Sequence, residues 1–533
     1  MGTDEKGCTR AIGTGLRRRT AALASCAVLS LGAEALAAPQ AGAAEPAPQA
    51  GAATQQSGAA ATQAGAAAPQ AGAAAPAAGA AAPAAAAPQP APGAPPAPRA
   101  AAAAARPPVA APQAPSARRP LPDYDGRPDE GASVGDALLW VPRVLLFPAY
   151  LASEYLVRRP LGYLTVAAEQ GEWIEELKDI FTFGPNDTIG IIPTALFDFG
   201  FRASVGVYIF YDDLFFPGNE LRVHAATGGI DWLRLTIADR IPLDGRAYLK
   251  LRGEADTRPD WLFAGIGPRS LGRDWARYAA HSIQGSATVH VDFDAFSFVE
   301  AYTGAKAVDF DDICCEPTVG WRVANGRYPL PPAFDTGYTA YRIGARAALD
   351  SRRPRPERGH GVRLELSGEH AADLERPLQS RWLRYGGTLG GFVDLTGHER
   401  IVSLVLSATF ADPLGTAEVP FTELVELGGG APMHGFREGR LRGRSAAAAT
   451  LEYRYPIWAF LDGTVQVAAG NVFSEHLRDF ELDLLRMSFV LGLRTSSSRD
   501  HSFDFLIGSA TETFEQGAGL QELRLMVGAS RGF

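Results

Sequence analysis

From Thr188 to the end of the chain, apolar and polar residues alternate with a period of two. Leu221, Val223, Ala225 and Thr227 alternate with Arg222, His224 and Ala226; Leu233, Leu235 and Ile237 with Arg234 and Thr236. Ala247, Leu249 and Leu251 alternate with Tyr248, Lys250 and Arg252; Val362, Leu364 and Leu366 with Arg363, Glu365 and Ser367. Side chains of a strand point alternately to its two faces, so this period predicts β-strands with one apolar and one charged face. A soluble sandwich buries the apolar face and shows the same period. Three further features point to a transmembrane barrel with the apolar face outward. About sixteen such segments follow Thr188, an even number as in bacterial outer-membrane barrels. The long connections, near 254–278, 308–337 and 412–444, fall on one side, while the other side has tight turns such as Phe293-Asp294-Ala295 and Gly397-His398. The last segment carries Leu523, Leu525, Val527 and Ala529 and ends on Phe533.

The amino-terminal part reads differently. Arg17-Arg18-Arg19, an apolar run from Thr20 to Leu31 and Ala35-Leu36-Ala37 read as a signal peptide over 1–37, although Leu23-Ala24-Ser25-Cys26 also imitates a lipoprotein box. Residues 38–118 are nearly all Ala, Pro, Gly and Gln, which cannot bury enough surface to offset chain entropy. This stretch is predicted to be a disordered linker in the periplasm, stiffened by proline toward about 3.1 Å per residue. Residues 119–187, with apolar runs at 137–157 and 173–180 broken by Pro142, Pro148, Arg143 and Glu154, predict a periplasmic segment of short helices. The barrel is then expected over 188–533.

Charge and cysteine content narrow the field. A formal net charge of -9 argues against nucleic acid as a partner. Four cysteines, with Cys314 and Cys315 adjacent, give neither a disulfide scaffold nor a zinc spacing. Asp309, Asp311, Asp312 and Glu316 read as a solvated outer loop rather than a calcium site. No H-E-x-x-H occurs, and the reading is of a non-enzyme with no cofactor and no metal.

The most informative stretch is 427–457, LGGGAPMHGFREGRLRGRSAAAATLEYRYPI. Gly428, Gly429 and Gly430 permit a backbone few other residues follow. His434, Gly435, Phe436 and Arg437 come next, and a long strand from Ser445 leads to Glu452. This order resembles the inward-folded loop and following strand of the BamA/TamA-type outer-membrane assembly family, the bacterial surface antigens. Phe263-Ala264-Gly265-Ile266-Gly267-Pro268 and Val467-Ala468-Ala469-Gly470-Asn471-Val472-Phe473 are similar to two further segments of that family. The resemblance covers the barrel only, without the periplasmic repeat domains. It implies an inward loop whose arginine pairs with strand carboxylates. Here His434 stands at the arginine's place and Ala468 at one acid's, so both ends of that pair are changed. Glu452 is then expected to meet an arginine among Arg437, Arg440 and Arg442. Leu525, Val527 and Phe533 resemble the terminal signal read by the barrel-assembly machinery.

The resemblance implies a protein of the outer membrane, in contact with its lipid, that inserts or translocates unfolded polypeptide clients. A gated pore plugged by the loop, and a surface barrel whose loops bind something outside the cell, remain as alternatives. Since 38–118 has no apolar face to contribute, its deletion is expected to leave the yield of heat-modifiable folded barrel unchanged. A large loss of that species on gels would give the segment a structural role.

Overall fold

The computed structural model describes 159–171, 179–312, 317–353, 359–430, 432–458, 461–495 and 502–530, with a few isolated positions before 159. The expected signal peptide and linker, most of the segment to 158, Cys314, Cys315 and Phe533 lie outside the described residues.

Among the described residues, nineteen strands form in chain order. They are β1 (Thr182–Phe183), β2 (Ile189–Asp198), β3 (Ser204–Asp212), β4 (Glu220–Gly229), β5 (Trp232–Pro242), β6 (Ala247–Phe263) and β7 (Ala276–Asp294). Next come β8 (Ser297–Asp311), β9 (Tyr338–Asp350), β10 (Gly361–Asp373), β11 (Arg381–Asp394), β12 (Ile401–Pro413), β13 (Val425–Leu427) and β14 (Leu441–Gly443). The last are β15 (Ser445–Trp458), β16 (Leu461–Phe473), β17 (Arg486–Thr495), β18 (Ser502–Thr511) and β19 (Leu520–Ser530). Among the described residues, helix α1 covers Arg159–Gln170 and helix α2 covers Val319–Ala324. Each barrel strand pairs antiparallel with its neighbours, β12 passes to β15, and β19 returns to β2. β1 only bridges β2, and β13 and β14 make a separate ribbon, which leaves sixteen strands in a closed ring.

The alternation resolves as the pattern requires. Leu233, Leu235 and Ile237 on β5 are exposed at 53%, 43% and 44%, while Arg222, His224, Thr236 and Asp256 are buried inside. A soluble protein would have this reversed, because burying a charged face while wetting an apolar one is unfavourable on both counts. The wall is therefore built to face lipid, and inward charges such as Arg234–Asp256 (2.9 Å) pair across the lumen face.

Strand lengths differ from the sequence expectation in one region. The pattern predicts a connection over 254–278, but β6 and β7 continue to Phe263 and from Ala276, so only 264–275 connects them. With 17 and 19 residues, these strands exceed the roughly 9–11 that cross a bilayer. Their extensions carry Phe263 and Tyr278 into an aromatic cluster with Phe310, Phe334, Tyr338, Trp382 and Phe421. This cluster gathers at the end of the barrel that carries the long connections.

The ring is weakest where it closes. Among the described residues, β19 meets β2 in three residue pairs, against eight between β2 and β3 and ten between β18 and β19. One further bond runs from the Phe199 N–H to the Leu525 carbonyl at 2.8 Å. Pro193 lies in β2 just beyond the paired stretch and has no N–H to give to a ladder.

Ile237→Arg, at mid-strand on the outward face, is expected to lower stability by about 2–4 kcal/mol in lipid. Lys250→Gln on the inner face of the next strand is expected to leave it nearly unchanged. Urea unfolding of the bilayer-inserted barrel checks both, and equal effects would contradict the assigned faces.

Candidate functional site: the inner loop and the seam

The connection between β12 and β15 turns into the lumen because the wall makes room for it. Ala411, Ala446, Ala448, Ala468 and Ala510 are buried small residues, and against them lie Val425, Leu427, Met433, Phe436 and Leu441 of the loop. Larger inward side chains on β15 and β16 would fill this trough. Gly428 and Gly429 adopt φ of +103° and +62°, which reverses the ribbon β13–β14 at its tip; Gly430 does not need that region. Gly435 touches the wall with backbone alone: its N–H donates to Ser488 Oγ at 2.8 Å, and a Cβ would collide with the Ser509 carbonyl. Gly470 lies opposite Ala448 on β15 and Arg486 on β17.

Arginines then lock the loop. Arg440 reaches Glu512 at 3.3 Å and Glu522 at 3.5 Å. Arg486 of β17 also pairs with Glu512, and Arg437 donates its backbone N–H to Glu522 at 2.9 Å. Arg442 lies opposite Glu426 in the β13–β14 ribbon and pairs with it at 3.2 Å. The segment 263–268 joins the same network. The Gly267 N–H donates to the Arg442 carbonyl at 2.8 Å, and the Pro268 carbonyl accepts from Asn471 Nδ2 at 3.0 Å and Arg486 Nη2 at 3.1 Å. The three sequence segments that carried the resemblance thus meet at one place. Burial alone would raise the Glu512 carboxyl, but Arg440 and Arg486 outweigh it and hold the group below the usual carboxylate range. Burial and the nearby Arg486 bring Arg440 down to about 10, which leaves it charged at neutral pH.

The expected contact of Glu452 with these arginines does not form. Glu452 accepts from Thr464 Oγ1 at 2.7 Å, and Arg437, Arg440 and Arg442 take Glu522, Glu512 and Glu426 instead. Their side chains run toward β17–β19 and the ribbon, away from the stretch of β15 that carries Glu452. His434 hydrogen-bonds the Gly429 carbonyl through Nδ1 at 3.0 Å. Burial, then the positive field of Arg494, pushes its imidazole down to about 4, so the ring is neutral at pH 7. Ala468 sits in the apolar trough of the loop.

Sequence reasoning missed the residue at the centre of the site. Arg524 of β19 makes a two-pronged pair with Asp198 of β2, Nε–Oδ1 at 2.9 Å and Nη2–Oδ2 at 2.7 Å. Its Nη1 donates to the carbonyls of Gly429, His434 and Phe436 at 2.8, 2.9 and 3.4 Å. Arg524 and Glu522 occupy the inward half of the same alternation whose outward half is Leu523, Leu525 and Val527, so the signal was present in the period. A cavity of about 500 Å³ lies under the loop tip beside the seam, lined among others by Asp198, Arg234, Glu254, His434, Arg494 and Arg524.

Residues 346–499 match the Omp85 superfamily domain. No curated protein sequence matches the chain. Among solved structures, BamA from Haemophilus ducreyi lacking POTRA domains 1-3 is similar over 64% of this chain and 70% of that one, at 16% identity and a TM-score of 0.47. CdiB from Acinetobacter baumannii is similar over 64% and 59%, at 12% identity and a TM-score of 0.41. CdiB from Escherichia coli is similar over 65% and 64%, at 10% identity and a TM-score of 0.39. The chain thus spans less than two thirds of either CdiB.

Glu512→Gln leaves two buried arginines sharing one fewer carboxylate and is expected to lower barrel stability by about 3–5 kcal/mol. Glu452→Gln, whose amide oxygen still accepts from Thr464, is expected to cost less than about 1 kcal/mol. The unfolding midpoints of the two variants in bilayers decide this, and the reverse order would move the lock to Glu452.

Proposed function

Because the chain carries an Omp85 superfamily domain within its barrel, we propose that it inserts or translocates polypeptides at the bacterial outer membrane by opening the seam between β2 and β19. The observation that carries this reading is the three-pair closure of an otherwise long-laddered ring. Separating two strands exposes unpaired N–H and C=O groups, which in lipid must find partners. An extended client segment supplies such partners by strand addition. A seam of three pairs opens at a smaller loss than any neighbouring ladder, so it is the place where an edge is offered. The inner loop, held by ion pairs rather than by covalent or ladder bonds, keeps the lumen filled while the seam is closed. No reaction chemistry and no cofactor is needed for this work. Outer-membrane lipid and unfolded polypeptides are the partners it implies, with the barrel-assembly machinery required for the protein's own insertion.

Phe197→Cys with Val527→Cys, a register pair on the outward face, places a disulfide across the seam. In a background with Cys314 and Cys315 changed to Ser, the oxidised barrel in liposomes is expected to stop inserting an unfolded barrel client, and reductant is expected to restore it. Insertion at equal rates in both redox states would remove the reading. Steady single-channel conductance that survives the disulfide would point instead to a pore plugged by the loop.

A further inference from the structure

The closure of the ring and the docking of the loop share one side chain. We propose that Arg524 couples the two, so that β2 and β19 separate only as the loop tip 429–436 withdraws from β19. This rests on the seam being the site that opens.

The argument starts from three backbone carbonyls. Those of Gly429, His434 and Phe436 converge on Arg524 Nη1. Carbonyl dipoles pointed at one buried spot repel each other unless a cation fills it. The loop does not supply that cation; β19 does. The other edge of the same guanidinium is held by Asp198, whose carboxylate accepts from Nε and Nη2. A planar guanidinium serves both partners only in one orientation. Moving β19 away from β2 strands Asp198 and tilts the group off the loop carbonyls, and lifting the loop takes three carbonyl acceptors from Nη1.

A second residue makes the same connection from the loop side. Arg437 binds Glu522 of β19 through its backbone N–H and its side chain, at 2.9 and 3.5 Å. Its guanidinium also lies against Gly200 in the β2–β3 turn, where an added Cβ would stand 2.8 Å from Nη1. Gly200 in turn accepts from Arg277 of β7. The loop therefore bridges both strands of the seam at the outer end, where their own ladder is three pairs long. By linkage, the factor by which loop release favours seam opening equals the factor by which seam opening favours loop release, so loosening the loop loosens the seam and locking the seam protects the loop.

Hydrogen exchange read by mass spectrometry on the full barrel in nanodiscs tests this without any client. Ser488→Ala removes the Gly435 N–H acceptor on β17 and touches no seam residue. Loss of one buried hydrogen bond is expected to speed exchange roughly five- to tenfold at 428–437 and equally at 196–199 and 525–528. The β9–β10 ladder should not change. In the reverse direction, the oxidised barrel carrying Phe197→Cys and Val527→Cys is expected to exchange more slowly at 428–437 than the reduced one. Arg524→Lys keeps a charge but cannot hold Asp198 and three carbonyls together, and should expose loop and seam alike. Faster exchange in the loop of the Ser488→Ala protein with an unchanged seam overturns the coupling, as does loop exchange indifferent to the disulfide. Loosening at both places in the Ser488→Ala barrel, with no client inserted by the unsubstituted barrel, leaves the coupling standing and removes the insertion reading.

Discussion

Most of the interior follows from the need to match buried arginines with buried carboxylates. Arg440 and Arg486 are almost wholly removed from water, and Glu512 and Glu522 are nearly so. Stripping solvent from such ions is expensive unless each finds its counter-ion and its remaining donors are met. Here the Nη donors are met by backbone carbonyls at Pro268 and Ser270 as well as by the glutamates, while the Nε of each arginine has no hydrogen-bond partner. None of these groups is neighbour to another in the chain. The network exists only when the β6–β7 connection, the inner loop, β17 and β19 are all in place, so loop docking and ring closure belong to one cooperative unit.

That unit sits beside the weakest ladder of the ring. A barrel without edges is normally held by continuous strand pairing. At the β2–β19 seam the pairing is brief, and side-chain electrostatics take over part of its role through Arg524 and Asp198. The exchange has a physical consequence. Ladder bonds in lipid are lost only with severe loss of stability, whereas an ion pair on the lumen side can trade partners with polar groups that enter there. The cavity beside the seam, lined by both acids and arginines, offers such partners.

The trough under the loop shows how packing permits this. Small inward residues on β12, β15, β16 and β18 lower the wall where the loop lies, and glycine at 435 brings backbone against backbone. The aromatic cluster above it sets Phe421 of the inner connection against Phe263, Tyr278 and Phe310, which stand on strand ends. Space, not chain connectivity, decides that the loop folds inward.

The strands, their faces and their even number were legible because each depends on local pattern, period two and turn residues, whereas the inward loop was expected only from the resemblance of 427–457 to a known family. The three segments 263–268, 428–437 and 467–473 were also marked in the sequence, and they meet in space. Which acid takes which arginine was not legible. Glu452 was the candidate on the strand that follows the loop, but side-chain direction turns the arginines toward Glu512 and Glu522, and Arg524 finds Asp198 across 326 positions. Alternation tells that a residue faces the lumen; only the closure and stagger of the ring set what stands opposite it, because that depends on distances through space that no local period encodes.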